Sequence, residues 1–446
     1  MSGPVRKEII PGVMLTVVQS DRFKTDCLSI TLLTQLCPEN ASKNALIPYV
    51  LRRGTGKSPD MKAVTMRLED LYGTEIVPVV RRVGEIQCTG LYASFPDSRY
   101  LPEGEDILPS VTDFMGEMLL RPKTRGGLLL PDVVESEKEK MKNIIRSRIN
   151  DKSGYALTRC MEEMCCFEDY ATMRFGTEET VDVIRYKDLT QHYHRILAES
   201  PVEIFYCGAC DPDRMELLML QALSTLPRQE LDMELGTDVR LNSVEADPRS
   251  VEETLDLQQG KLVLGFRLGD CMEDPSAEEL AAIRVFNECY GGSVTSRLFK
   301  NVREKLSLCY YASSMLEVHK GLMFVSSGIR PENRDVAQAE ILQQLDSLRE
   351  GTLTDEELTA AKNSLSSAYR SLRDSQGALE SYYVNNALDG LLLTPEEMAG
   401  LVDEITAEDV QRIARSVVLD LVYFLHGDAP EEEDEETEEE GEVIDE

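Results

Sequence analysis

The 446-residue chain has no apolar run long enough to cross a bilayer. Its longest stretches, such as Gly127 to Leu130 and Leu421 to Leu425, fall far short of the roughly 18 residues a span requires. Basic residues are scarce as well, 47 Lys and Arg against 81 Asp and Glu, for a formal charge of −34. No basic run offsets that field locally, which argues against nucleic acid and against a membrane as partners. Met1 to Glu8 offer neither a continuous apolar core nor a small-residue cleavage site, so a cytoplasmic location is expected. Histidine is limited to His192, His194, His319 and His426, none with a His or Glu three or four residues away in a metal-binding pair. His192 and His194 stand two apart on a predicted helix, where side chains do not share a face, and all four read as solvated or packed. The eleven cysteines lack framework spacing and read as small buried hydrophobes of a reducing compartment.

What is present is enough apolar residue, 42%, to fill two or three cores at about 150 residues per domain. Asp428 to Glu446 carry 13 acids and no Lys or Arg, a self-repelling block expected to form a disordered, solvated tail over 428–446. Residues 1–427 then carry −34 + 13 = −21. The body reads as one unit written twice. Leu189 to Asp211 predicts a short helix, a break at Ser200-Pro201 and an apolar strand stopping at Cys207-Gly208. Ile405 to Asp428 predicts a helix capped by Thr406, then a strand stopping at His426-Gly427. Upstream, Met141, Ile144, Ile145 and Ile149 in one half, and Leu358, Ala361, Leu365, Ala368 and Leu372 in the other, recur at helical spacing. Leu262 to Phe266 and Gly321 to Ile329 suit strands. The expectation is an α+β chain of two homologous domains, 1–230 and 253–427, joined by a polar linker over 231–252.

Asn44 to Thr55 and Gly291 to Tyr310 resemble two landmarks of the M16, insulinase-like metallopeptidases: a His-x-x-Glu-His helix followed by Gly-Thr, and a Ser-Arg-Leu-Phe helix with an Arg-Glu pair leading to a strand that begins near a Tyr. The resemblance implies two α/β-roll domains in one chain. Anchored on Gly54-Thr55, it places the family's first His on Ala45, its Glu on Pro48 and its second His on Tyr49. A catalytic zinc requires three N or O donors and a carboxylate beside its water, and these residues supply none of that set. Proline also disfavours the helix before it. The third ligand position falls on Ser147 or Arg148. No metal or other cofactor is therefore expected in this chain, and zinc only in a partner subunit.

Arg303 and Tyr310 keep the second landmark. In zinc-bearing relatives such a pair donates hydrogen bonds to the peptide carbonyl as it becomes an oxyanion, where fixed donors count most. The same residues also read as a surface helix charge and a half-buried strand aromatic, and both readings stay open. Some M16 relatives divide zinc helix and Arg/Tyr pair between two subunits. The resemblance thus implies a catalytically silent subunit in a heterodimer with a zinc-bearing homologue, acting on a peptide substrate; the alternative is a non-hydrolytic peptide- or protein-binding scaffold. Within the family the likeness is to zinc-less members associated with aminopentanol modification of elongation factor P, through Ile9 to Val13, Leu68 to Thr74 and Arg148 to Lys152.

Three weaker signals fall away. Gly54 to Ser58 lacks the upstream glycine and feeding strand of a phosphate loop. Cys207 and Cys210 have redox-pair spacing, but Asp211-Pro212 follows directly, and the pair reads as structural. Met161, Met164 and Met173, near Phe167 and Tyr170, could line a peptide groove but read as core filling.

Overall fold

The computed structural model describes residues 3–102, 104–228 and 235–427. The expected tail over 428–446 and part of the expected linker lie outside the described residues. Thirteen strands run in chain order: β1 Val5–Ile10, β2 Val13–Gln19, β3 Thr25–Gln35, β4 Glu75–Val83, β5 Ile86–Pro96, β6 Thr124–Arg125, β7 Leu128–Leu129, β8 Val202–Gly208, β9 Arg249–Thr254, β10 Gly260–Arg267, β11 Cys309–Glu317, β12 Leu322–Ile329 and β13 Val418–His426. They form a six-stranded sheet ordered β1-β2-β8-β3-β5-β4, a five-stranded sheet ordered β11-β12-β10-β13-β9, and a small ladder of β6 with β7. In the first sheet β2 pairs parallel to β8 and the other pairs are antiparallel; in the second β9 pairs parallel to β13 and the others are antiparallel. The chain is α+β, with helices packed on both sheets.

The central strands are buried along their whole length because both their faces are covered. Every residue of β8 and β10 is buried. Alternate residues of β10 point to opposite layers: Leu262, Leu264 and Phe266 enter the main core of the second sheet. Val263 instead meets Ala156, Cys160 and Met164 on the Lys152–Met164 helix. Gly265 permits that approach, since a Cβ there would lie 2.6 Å from Met164 Sδ. The reciprocal contact is made at the first sheet, where Leu379, Tyr383 and Val384 of the Gln376–Leu388 helix cover Val18, Cys27, Phe205 and Cys207.

Each sheet therefore takes a covering helix from the other end of the chain. Period-3.6 patterning reports that a helix buries a face but not which sheet receives it, so this exchange is not visible in the pattern that suggested domains over 1–230 and 253–427. The linker expected over 231–252 also runs into β9, whose alternating Ser250, Val251 and Glu252 suit an edge strand beside β13.

Charges reinforce the join. The wholly buried Arg267 donates to Asp420 at 2.8 Å and to Glu168 at 2.7 Å, and the wholly buried Lys320 contacts Glu168 and Glu85, each at 2.7 Å. Burial alone would raise the Glu168 pKa, but hydrogen bonds from Arg267 and Lys320 outweigh it and hold the carboxyl below its ordinary value.

Candidate functional site

The Ala41–Leu51 helix carries the first landmark. It runs through Pro48, contrary to the expected disruption: the helix is packed into the first core through Ala45, Leu46, Ile47, Val50 and Leu51, and that tertiary burial outweighs the missing N–H. Residues 45, 48 and 49 share one face by helical spacing. Ala45 and Pro48 are buried, and Tyr49 is half-buried. Its phenol is pushed up by burial; the Arg174 charge acts to lower it and Glu137 to raise it further.

Beneath this helix runs a chain of buried polar groups whose donors can be assigned. Arg195 only donates, so His192 Nδ1, 3.0 Å away, accepts; Nε2–H then donates to Asn44 Oδ1 at 2.5 Å. Asn44 Nδ2 donates to Thr34 Oγ1 and Gln87 Oε1, and Gln87 Nε2 donates to the carbonyls of Ala41 and Arg174. His192 stays neutral, its pKa lowered to about 4 by burial, then by the charges of Arg195 and Lys43. The network ties the landmark helix to the backbone of Arg174.

Arg174 in turn lines a cavity of about 370 Å³, walled by Ile144, Ile145, Arg148, Tyr155, Met161 and Met173, with Arg82 and Glu317 also at its surface. Met161 and Met164 fill core as expected, Met161 also reaching the cavity wall, while Met173 is cavity wall and not a member of a core cluster. Arg82 donates to Met161 Sδ at 2.6 Å and to the Tyr170 carbonyl at 2.7 Å, and its guanidinium stacks 3.9 Å from the centre of the Tyr170 ring.

Of the two residues at the expected third ligand position, Ser147 is exposed and donates to the Ile144 carbonyl, and Arg148 pairs with Glu162 at 3.2 Å. The carboxylate acting on Tyr49 from the same helix is Glu137, buried and paired with Arg53 at 2.5 Å. Among the described residues no group of three His, Cys, Asp or Glu is placed to hold a metal.

The second landmark lies elsewhere. Leu298–Lys305 is wound with π-type bonding, Leu306 N donating to the Asn301 carbonyl, and the chain then turns through Ser307 at φ +51° into β11. This turn brings Arg303 and Tyr310 together: Arg303 Nε donates to the Tyr310 carbonyl at 3.1 Å, with the guanidinium over the Phe299 ring. The Tyr310 side chain projects outward, the residue 59% exposed, beside a cavity of about 230 Å³ that Arg330 and Asn333 also line. Arg297 of the same landmark is an anchor, bound to Glu357, Ser347 and Thr352. Tyr310 is the second residue of β11 and Glu317 the last, so the two cavities sit at opposite ends of one strand, roughly 23 Å apart at about 3.3 Å per residue.

Cys207 and Cys210 are buried free thiols, pushed up by burial to about 12 and about 11, and neither is a poised nucleophile. His194 is exposed, His319 bonds Asp389 at 2.7 Å and His426 stacks on Phe424. Arg82 and Arg174 were missed in the sequence, since they belong to no motif and lie 92 positions apart by their numbers.

Residues 184–365 match the Peptidase M16 inactive domain. Over 417 residues, 93% of this chain and 96% of the relative, the sequence is 28% identical to the probable inactive metalloprotease YmfF of Bacillus subtilis. The chain is thus similar to M16 peptidases that carry the inactive domain. It is similar in structure to a conserved protein from Enterococcus faecalis, with a TM-score of 0.83 and 28% identity over 96% of this chain and 99% of that one. The fold alone is shared with the peptidase M16 inactive domain from Pseudomonas fluorescens, at a TM-score of 0.76 and 17% identity, covering 96% of this chain and 98% of that one. Among the described residues no helix is long and apolar enough to cross a membrane.

Proposed function

We propose that this inactive M16 peptidase-like protein is the silent half of a heterodimer, pairing in the cytoplasm with a zinc-bearing homologue and acting on a peptide. Zinc and the general base belong to the partner in this reading. The observation that carries it is the asymmetry between the landmarks: the Ala45, Pro48 and Tyr49 face has no metal donor set, while Arg303 and Tyr310 are assembled and turned to solvent. A phenol and a guanidinium held at a rigid strand end are suited to stabilise a carbonyl that develops charge in a site completed across an interface. The matched strand path through the two sheets supports an internal repeat, and with it a chain built as two M16-type units.

The test is co-expression with an M16 homologue that keeps His-x-x-Glu-His, followed by size exclusion, metal analysis and a quenched-peptide assay. A mixed dimer with about one zinc per pair, active only when both chains are present, is the expected result. In that dimer Arg303→Ala and Tyr310→Phe are each expected to lower kcat by about 10²-fold with zinc content unchanged. Full activity in both variants would make the pair structural. A chain that never pairs would move the reading to a non-hydrolytic peptide-binding scaffold, which the cavity lined by Arg174 favours independently.

A further inference from the structure

We infer that the cavity walled by Ile144, Ile145 and Met173 is a carboxylate site, in which Arg174, flanked by Arg82 and Arg148, receives an acidic side chain of a bound peptide. This rests on the reading that the chain holds peptides, and adds which peptides it prefers.

Arg174 is the centre of the argument. In a chain with 81 acids and 47 Lys and Arg, an arginine facing a cavity has many candidate carboxylates. Yet among the described residues the Arg174 side chain makes no ion pair and no hydrogen bond; its one ring contact is with its neighbour Phe175, 5.3 Å from the guanidinium. Its backbone, by contrast, is fixed through Gln87 to the network under the landmark helix. A guanidinium on a fixed backbone with all its N–H groups free is a preorganised donor set, and its planar fork matches a carboxylate in two-point geometry.

The walls agree in charge. Arg82 is held by the carbonyls of Tyr170 and Thr172 and by Met161 Sδ, and makes no ion pair among the described residues. Arg148 is offset by Glu162 at 3.2 Å. The wall holds three guanidiniums against two carboxylates, Glu317 and Asp151, the latter also accepting from Gly154 N at the start of the Lys152–Met164 helix. Crowding has a second signature: burial, then the charges of Arg82 and Arg148, lower the pKa of Arg174, and a bound carboxylate would relieve that repulsion. Ile144, Ile145 and Met173 supply apolar surface for the residues flanking the acidic one. Tyr49 stands where the family resemblance places the second His ligand, so Arg174 keeps a positive charge beside that position without a metal.

The probes are three fluorescein-labelled peptides of about ten residues, identical but for a central Glu, Gln or Lys, titrated by anisotropy into the full chain and into Arg174→Gln and Arg174→Glu. A charge-assisted pair predicts that the Glu peptide binds about tenfold tighter than the Gln peptide. Arg174→Gln is expected to abolish the preference, and Arg174→Glu to transfer it to the Lys peptide. Because the Arg174 side chain holds nothing in place, both variants should keep the parent unfolding midpoint, which separates loss of the site from loss of the fold. Equal binding of the Glu and Gln peptides would overturn the carboxylate site and leave peptide holding intact. Binding of none of the three would overturn both. A Glu preference that persists in both variants would place the site elsewhere and overturn this one.

Discussion

His192 and Asp26 are both buried, and each pulls the pH dependence of stability in its own direction. His192 has a folded pKa of about 4 against an ordinary 6.5, so across that window the unfolded chain binds a proton the folded chain refuses. Stability from this group rises with pH, by about 3 kcal/mol over the window. Asp26 is raised from 3.8 to about 6, first by burial and then by the neighbouring Asp97, while the Tyr206 hydroxyl, bonded at 2.7 Å, lowers it. The folded chain there keeps a proton the unfolded chain has released, and stability falls with pH by about 3 kcal/mol between pH 4 and 6. The two slopes oppose, so the parent protein is expected to show a nearly level contribution from this pair in that range. Urea unfolding at several pH values should show a rising profile in Asp26→Asn and a falling one in His192→Gln. An unchanged profile in either variant would mean that its group titrates near its ordinary value in the folded state.

At the scale of elements, the β4 to β5 hairpin, the turn after the Lys152–Met164 helix and the turn before β12 meet through Glu85, Glu168 and Lys320. Lys320 also donates to the Asp238 carbonyl, so one ammonium joins three segments. Replacing it by Met leaves two carboxylates buried without their shared cation. Glu168 keeps Arg267, and Glu85 keeps the backbone donors of Tyr170 and Asp238, so partial compensation is built in. The expected loss for Lys320→Met is about 3 kcal/mol, at the lower end for breaking a buried pair, measured as a fall in urea midpoint with unchanged slope. No loss would mean that water already reaches the cluster. This junction also marks where sequence reading stopped. Strands such as Leu322–Ile329 and the Asp355–Ser371 helix were legible because their periodicity is local. The Arg303 to Tyr310 contact was within reach for the same reason, since a single turn separates the two. The exchange of covering helices and the Arg82, Arg148 and Arg174 wall were not, because they depend on contacts between segments that carry no shared pattern.

The exchange of helices decides how the whole molecule should unfold. Two α+β units joined by a linker would melt separately unless their interface were large and apolar. Here the covering layer of each sheet is supplied from the far side of the sequence. The Lys152–Met164 helix seals Val263, Phe324, Leu421 and Tyr423, and the Gln376–Leu388 helix seals Val18, Phe205 and Cys207. Tertiary ion pairs follow the same routes: Arg81 of β4 forks onto Glu380 at 2.8 and 2.5 Å, and Arg267 of β10 onto Glu168. Melting one sheet first would strip the other of an apolar cover and leave Glu380 without Arg81, or Arg267 without Glu168 and with Asp420 alone. That cost ties the two cores into one cooperative unit. Differential scanning calorimetry is therefore expected to give a single transition, with a calorimetric enthalpy close to the van't Hoff value for the full chain. Two resolved transitions would show that the exchanged helices detach before either core melts. The coupling also bears on function: a wall built from both sides of the sequence, such as the one holding Arg174 and Glu317, keeps its shape only while both sheets stay folded. Peptide binding there should accordingly raise the midpoint of the one transition rather than split it.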